Sequence, residues 1–356
     1  MLFPHRNGLL CTAVLTMVPL AGQWLNYPTP GIPRTADGKP NLSASAPKTP
    51  DGKPDLSGIW TMNPAPYGVN IVTDLKPGDI QPWADALYKE RQENLGRDNP
   101  TTACLPSGPA FNLNPVAMTR IMQTPGLIAV LSEDLTYRQI FMDGRPLPKD
   151  PNPGFMGYSV GHWDGDTLVV ESNGFNDRTW LDFGGHPHSE DLRITERIRR
   201  RDFGHIDIEE TLADPKIYAR PWTIVIHAAL ITDTEILEFV CAENEKDVRH
   251  LVGKASDDRR NAVEVAPAIL SKYVGTYDFR FPENPTQVVA IEVTQEGDEL
   301  LLDFLGDKKP LIPRSSTSFS SNGNPITFVT NDQGVVTHLV LQAAEGDLKA
   351  PRRASK

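Results

Sequence analysis

The sequence predicts a mainly β protein: an antiparallel barrel or sandwich with one or two short helices, followed by a second, smaller antiparallel β module. Two observations carry that expectation. Short runs of β-forming residues recur with period two, separated by turn residues at hairpin spacing. A charged stretch near residue 250 then divides these runs into two series. A chain of 356 residues is long for one core and comfortable for two. With 39% apolar and 23% charged residues it carries enough apolar material to fold.

Residues 1–22 begin with one basic residue, Arg6, and continue with the apolar run 8–21. That is the pattern of a secretory signal peptide, and it is too short to anchor a chain in a bilayer. The expected location is therefore periplasmic or secreted, with no integral membrane association, because no later segment reaches transmembrane length. Removing the leader takes away Cys11 and leaves Cys104 and Cys241, which an oxidising compartment is expected to join in one disulfide. Metal ligation by this pair is the weaker alternative, since no C-x-x-C spacing is present. The net charge of −11 and the lack of a clustered basic face argue against nucleic acid as a partner. The one basic run is Arg197, Arg199, Arg200 and Arg201, and strand alternation would spread it over two faces.

Residues 23–55 are rich in Pro, Gly, Ser and Thr, and Thr35-Ala-Asp-Gly-Lys-Pro-Asn-Leu-Ser43 returns as Thr49-Pro-Asp-Gly-Lys-Pro-Asp-Leu-Ser57. This composition predicts an extended tether punctuated by Asp-Gly turns. Ser57-Gly-Ile-Trp60 starts the first strand of a main domain expected over 56–254, and residues 81–94 form its clearest helix. Strands follow at 118–123, 127–131 and 137–142. Residues 158–163 and 167–172 flank the hairpin turn Asp164-Gly165. Residues 192–200 and 205–212 pair around Asp202-Phe-Gly204, and 222–231 with 235–241 around Asp233. A linker at 255–267 leads to a second β domain over 268–350, with six strand-like runs between Val274 and Leu341.

Three motifs of the second series, Tyr273-Val-Gly-Thr-Tyr277, Ile291-Glu-Val-Thr-Gln-Glu-Gly297 and Leu311-Ile-Pro-Arg-Ser-Ser316, resemble the lipocalin-like module that follows serine hydrolase domains in many bacteria. Across nearly the whole chain, Pro50-Asp-Gly-Lys-Pro-Asp-Leu-Ser-Gly-Ile-Trp60, residues 157–170 and Gly184-Gly-His-Pro-His-Ser-Glu190 resemble a large family of secreted soil-bacterial proteins without a settled function. The resemblance implies export and a lipocalin/calycin-like barrel, and it transfers no catalytic residue. In outline the chain is also similar to two-barrel hydratases and cyclases, an analogy of fold alone.

Several standard catalytic signatures are missing: no H-E-x-x-H, phosphate-binding glycine loop or dinucleotide fingerprint is present. One segment concentrates chemistry. Between Asn173 and Arg197, titratable and polar residues surround Gly184-Gly185. His186 or His188 is expected as a general acid or base, oriented by Asp182 or Glu190. Trp180, Asn173, Asp177, Arg178 and Arg197 are the candidate substrate-binding residues, with the two arginines suited to a carboxylate. The bland alternative is a solvated loop whose polar side chains cap turns. No cofactor is favoured. A divalent metal is the alternative, held by His186, His188 and Glu190 on one side of an extended chain, with His205, His227 or Glu196 as further ligands. The leading expectation is an extracytoplasmic enzyme doing acid/base chemistry, as a lyase, hydratase, isomerase or hydrolase, on a small organic or glycan-derived ligand. The alternatives are a non-catalytic lipocalin-like carrier of an apolar molecule and an envelope interaction module.

Overall fold

The structure is a computed structural model, and it describes residues 28–76, 78–109, 117–241, 254–281, 284–321, 323–343 and 346–354. The expected signal peptide and Cys11 lie outside the described residues. Nine strands form a closed barrel: β1 (Gly58–Asn63), β2 (Thr119–Gln123), β3 (Leu127–Ser132), β4 (Tyr137–Phe141), β5 (Tyr158–Asp164), β6 (Thr167–Asn173), β7 (Arg193–Arg200), β8 (His205–Ala213) and β9 (Trp222–Ile231). Each strand pairs with the next, and β9 returns to β1 through registers such as Trp60 with Leu230. All neighbours are antiparallel except β4 and β5, which run parallel from Ile140 opposite Ser159. A parallel pair needs a crossover, and residues 142–157 supply it.

The two-residue period of the strands determines what faces inward. Trp60 and Met62, Ile128 and Val130, Leu168 and Val170, Ile194 and Ile198, Ile206 and Ile208, and Ile224 and Ile226 all join one buried cluster. Gly161 belongs to the same face, where a Cβ would come within 2.6 Å of Met142 Sδ. The Asp164-Gly165 turn forms as the sequence predicts, with Gly165 at φ +61°. Residues 235–241, expected to pair with β9, are not a strand: β9 is already bonded on both sides, to β8 and β1. That segment instead carries Cys241 to Cys104, joined with their Cα atoms 5.5 Å apart.

Residues 28–55 differ from the free tether that their composition suggests. The two echoed sequences fold into matching miniature hairpins: Thr35 N–H donates to Lys39 O at 2.8 Å and Thr49 N–H to Lys53 O at 2.8 Å. Gly38 and Gly52 supply the positive φ of +81° and +80°. Between them the chain is fastened to the barrel. Phe203 N–H donates to Ala44 O at 2.7 Å, Gly204 N–H to Leu42 O at 2.8 Å, and Leu42 packs on the apolar cluster. Arg34 pairs with Asp233 at 2.6 Å and Lys48 with Asp166 at 3.3 Å. Prolines remove donors but leave carbonyls, and the strap docks mainly through these.

Helix α1 (Pro82–Glu93) lies outside the barrel, started by proline at its first turn. After α2 (Ala255–Arg260) and α3 (Pro267–Leu270), the second module is an eight-stranded antiparallel sheet in sequence order, β10 (Gly275–Phe281), β11 (Asn284–Glu296), β12 (Glu299–Phe304), β13 (Asp307–Pro313), β14 (Ser318–Ser321), β15 (Asn324–Thr330), β16 (Val336–Ala343) and β17 (Gly346–Pro351). It is nearly closed, since Tyr277 bridges Arg352 just beyond β17. Rings of Tyr273, Tyr277, Phe279, Phe319 and Phe328 fill it. The charged stretch at 257–260 is docked on this module: buried Asp258 accepts from Ser320 Oγ at 2.7 Å and Gly323 N–H at 2.9 Å, and it pairs with Arg314. Among the described residues no helix is long and apolar enough to cross a membrane.

Candidate functional site

The segment richest in chemistry is the connection from β6 to β7. Its centre is a small hairpin, closed by Leu181 N–H donating to His186 O at 2.8 Å and by the bridge of Trp180 with Pro187. Asp182 organises it from inside. Oδ1 accepts from Gly185 N–H at 2.8 Å and His186 N–H at 3.0 Å, and Oδ2 accepts from Ile71 N–H at 2.8 Å and lies 2.5 Å from His186 Nδ1. Both side chains are almost wholly removed from solvent. The ring of His186 stacks on Tyr88 of α1, 3.9 Å between centroids and 14° from parallel. Burial raises the Tyr88 hydroxyl well above its ordinary range, with Asp307 and Asp182 adding to the effect.

The glycine pair explains why α1 comes so close. A Cβ on Gly184 would sit 3.2 Å from the Tyr88 ring of α1 and 2.2 Å from Val69 O, and one on Gly185, which holds φ +101°, would sit 3.1 Å from Arg91. Arg91 Nη1 donates to Gly185 O at 2.7 Å, Gln92 Nε2 donates to Gly184 O, and the Arg91 guanidinium covers the Trp180 ring at 4.7 Å.

Of the expected catalytic set, the structure brings together Asp182 and His186 and separates the other two. His188 is buried with Nε2 2.7 Å from Thr179 Oγ1 and Nδ1 3.3 Å from Ser189 O. A carbonyl can only accept, so Nδ1 carries the proton and Nε2 accepts from the threonine hydroxyl. Burial holds His188 below the ordinary histidine range, which favours the neutral ring. Glu190 is exposed. The alternative metal set of His186, His188 and Glu190 is not assembled: His186 Nδ1 and both His188 nitrogens face separate partners, and Glu190 is exposed. Among the described residues no group of three or more His, Cys, Asp and Glu is placed to hold a metal ion. Of the expected binding residues, Trp180 is buried under Arg91, Asp177 and Arg178 are exposed, with Arg178 over the Phe155 ring at 5.3 Å, and Arg197 pairs with Asp164 at 2.9 Å on the outer face of β7. The two arginines are therefore engaged separately.

Asn173 and Glu190 do share a site. Both line a groove of about 610 Å³ at the end of the barrel, with Lys149, Asp150, Phe175, Arg193, Asp214 and Tyr218. Asp214 shapes one wall by accepting from Ser189 N–H at 2.6 Å and Ser189 Oγ at 2.8 Å, and Tyr218 OH donates to Pro187 O at 2.8 Å. Asn173 is 4% exposed and donates through Nδ2 to Pro148 O at 2.7 Å. Its Oδ1 is buried without a hydrogen-bond partner, one of two such side-chain atoms among the described residues. The Nδ2 contact fixes the amide orientation, since a flipped amide would set oxygen against oxygen.

A further polar cluster lies inside the barrel. Arg138 pairs with Glu196 through both guanidinium ends and donates to Ser159 Oγ at 3.0 Å and Ser172 Oγ at 2.9 Å. Glu196 stands opposite Glu210 across β7 and β8, and both are buried. Strand alternation does reveal these residues: Arg138 shares the face of Ile140, Glu196 that of Ile194 and Ile198, and Glu210 that of Ile208 and Leu212. The two lumen voids lined by this cluster measure about 20 and 30 Å³, room for a water or two each.

A scan against protein-family models gives no match, and a search of curated proteins finds none that matches.

Proposed function

We propose that the protein is an extracytoplasmic, periplasmic or secreted, enzyme that binds a hydroxyl-bearing small molecule of the glycan-derived class in the groove at the barrel end. The observation that carries this reading is the unpartnered Asn173 Oδ1 in the groove wall. A buried acceptor without a donor costs roughly 1–3 kcal/mol, which a ligand hydroxyl recovers on binding. The groove has the size of a small-molecule site, and the Phe175 and Tyr218 rings add apolar surface to its polar walls. The joined cysteines are compatible with an oxidising compartment outside the cytoplasm.

In this reading the acid/base chemistry falls to Glu190. Its neighbours are committed, Asp214 to Ser189 and Asp191 to Lys216 at 3.1 Å, whereas Glu190 has no hydrogen-bond or ion-pair partner among the described residues. His186 and His188 act as positioning residues, holding the loop that presents Glu190. The carrier reading draws little support from the lumen voids, which are too small for an apolar molecule.

The test is calorimetric titration of neutral di- and oligosaccharides into the exported protein, followed by product analysis. At least one sugar should bind, and Asn173→Ala should weaken it roughly tenfold through the lost hydrogen bond. Glu190→Gln should leave affinity within a few-fold and lower turnover about 10²-fold. Equal affinity of the parent and Asn173→Ala for every sugar that binds, or no binding at all, would overturn the proposal.

A further inference from the structure

We propose that a second groove, between the strap and the rim of the barrel, is a binding site for an apolar carboxylate. This groove measures about 620 Å³ and runs from Thr29–Ile32 across the start of β1 and the end of β2 to the end of β9. Its walls are mainly apolar, with Ile32, Ile59, Met122, Phe203, Leu230 and Ile231 among the lining residues. Two cations, Arg120 and Arg200, line it as well.

The cations are unusual in what answers them. Arg200 is 6% exposed, and its guanidinium lies 5.0 Å from the Trp60 ring centroid and 5.1 Å from that of Phe203. Among the described residues it donates only to backbone carbonyls, those of Asp55, Phe203 and, at 3.3 Å, Asp202. A guanidinium carries five N–H donors, so these three bonds leave capacity for a further acceptor. Arg120 Nε is the other buried side-chain atom without a hydrogen-bond partner. Neither arginine has an ion-pair partner among the described residues, and the nearby carboxylates are occupied. Asp202 Oδ1 accepts from Gly204 N–H at 3.0 Å and lies 2.7 Å from His205 Nδ1, Asp55 Oδ1 accepts from Ser57 N–H at 2.9 Å, and Asp233 is taken by Arg34.

A buried cation satisfied by neutral carbonyls has no carboxylate among its hydrogen-bond partners, and burial pushes Arg200 down to about 10 against the opposing charges of Asp55 and Asp202, still protonated at neutral pH. Two guanidinium groups beside an apolar wall match a molecule with a carboxylate at one end and hydrocarbon along its length. The planar donor fork suits a carboxylate in particular. The strap then has a role that the free tether would lack, because Pro30, Gly31 and Ile32 form one side of the site. This proposal is independent of the barrel-end groove and of any reaction there.

The experiment is calorimetric titration of decanoate and of decan-1-ol into the exported protein, its Arg120→Gln variant and its Asn173→Ala variant. Arg120 is chosen because Arg200 fastens the strap and its loss would confound folding with binding. Decanoate should bind the parent, and the alcohol at least roughly tenfold more weakly, the difference a charge-assisted hydrogen bond makes. Arg120→Gln should lose a comparable factor for decanoate with an unchanged melting midpoint, and Asn173→Ala should bind decanoate like the parent. Equal affinity for acid and alcohol, an Arg120→Gln variant that binds decanoate undiminished, or no binding of decanoate at millimolar concentration would each refute the site.

Discussion

Replacing Arg138 by methionine tests whether the barrel depends on its buried charge. The side chains of Arg138 and Glu196 are 11% and 2% exposed, and one guanidinium serves Glu196, Ser159 and Ser172 together. Methionine roughly fills the space but leaves Glu196 buried and facing Glu210 across β7 and β8. Removing one partner of a buried ion pair costs about 3–5 kcal/mol, a large part of a typical total of about 5–15 kcal/mol. Glu196→Gln should cost less, about 1–3 kcal/mol, because an amide still accepts from Arg138 and the remaining cation lies near Glu210. The double variant should be more stable than the sum of the singles by about 1–3 kcal/mol. Tryptophan fluorescence during urea unfolding separates this from the second module, since all six tryptophans lie at or before residue 222. A loss under about 1 kcal/mol for Arg138→Met, or strict additivity, would refute the reasoning.

Three other outcomes follow from the same geometry. Replacing Cys104 and Cys241 by serine opens a loop of 137 residues and should cost up to about 5 kcal/mol in the chain-entropy account; two free thiols in the purified parent by mass spectrometry would contradict it. Starting the chain at Leu56 removes Leu42 and the Arg34–Asp233 pair from the barrel and should lower its melting midpoint, whereas an unchanged midpoint would restore the free tether. His188 is held below its ordinary value, so the unfolded chain takes up that proton first: the contribution is fully present above about pH 6.5 and is lost as pH falls toward the folded value. His188→Asn should flatten that stretch of the stability curve, and a variant with the parent's slope would sink the assignment.

Much of the barrel was legible because period two writes the inward face directly into β6, β7 and β8, and because Asp164-Gly165 is an unambiguous turn. The parallel pairing of β4 with β5 and the closure of β9 on β1 were not, since registers between distant strands leave no local mark. Residues 235–241 look like a strand by composition but find no open edge beside β9. The docking of the strap is not legible for a physical reason: low apolar content argues against a core of its own, yet carbonyls, one leucine and two ion pairs fasten it to the barrel. Arg138 and Glu210 are readable as charges on apolar faces of their strands, although the histidine segment is denser in titratable groups.

That segment also shapes the contact between the two modules. Many titratable groups within a few residues suggest a site, and two of them, Asp182 and His186, also help build a joint between the two modules. Gln92 is its hinge pin: Nε2 donates to Gly184 O, and Oε1 accepts from Lys309 Nζ at 2.8 Å. Lys309 also pairs with Asp307 at 3.2 Å, and burial raises that carboxyl above its ordinary range. On the opposite side of the turn, a Cβ on Gly306 would meet Pro66 O at 2.0 Å, so the β12–β13 turn is pressed against the segment that donates Ile71 N–H to Asp182. Asp182 and His186 therefore sit where the barrel loop, α1 and the second module converge. Their mutual contact is explained by that junction, whereas Asn173 and Glu190 line the groove at the barrel end.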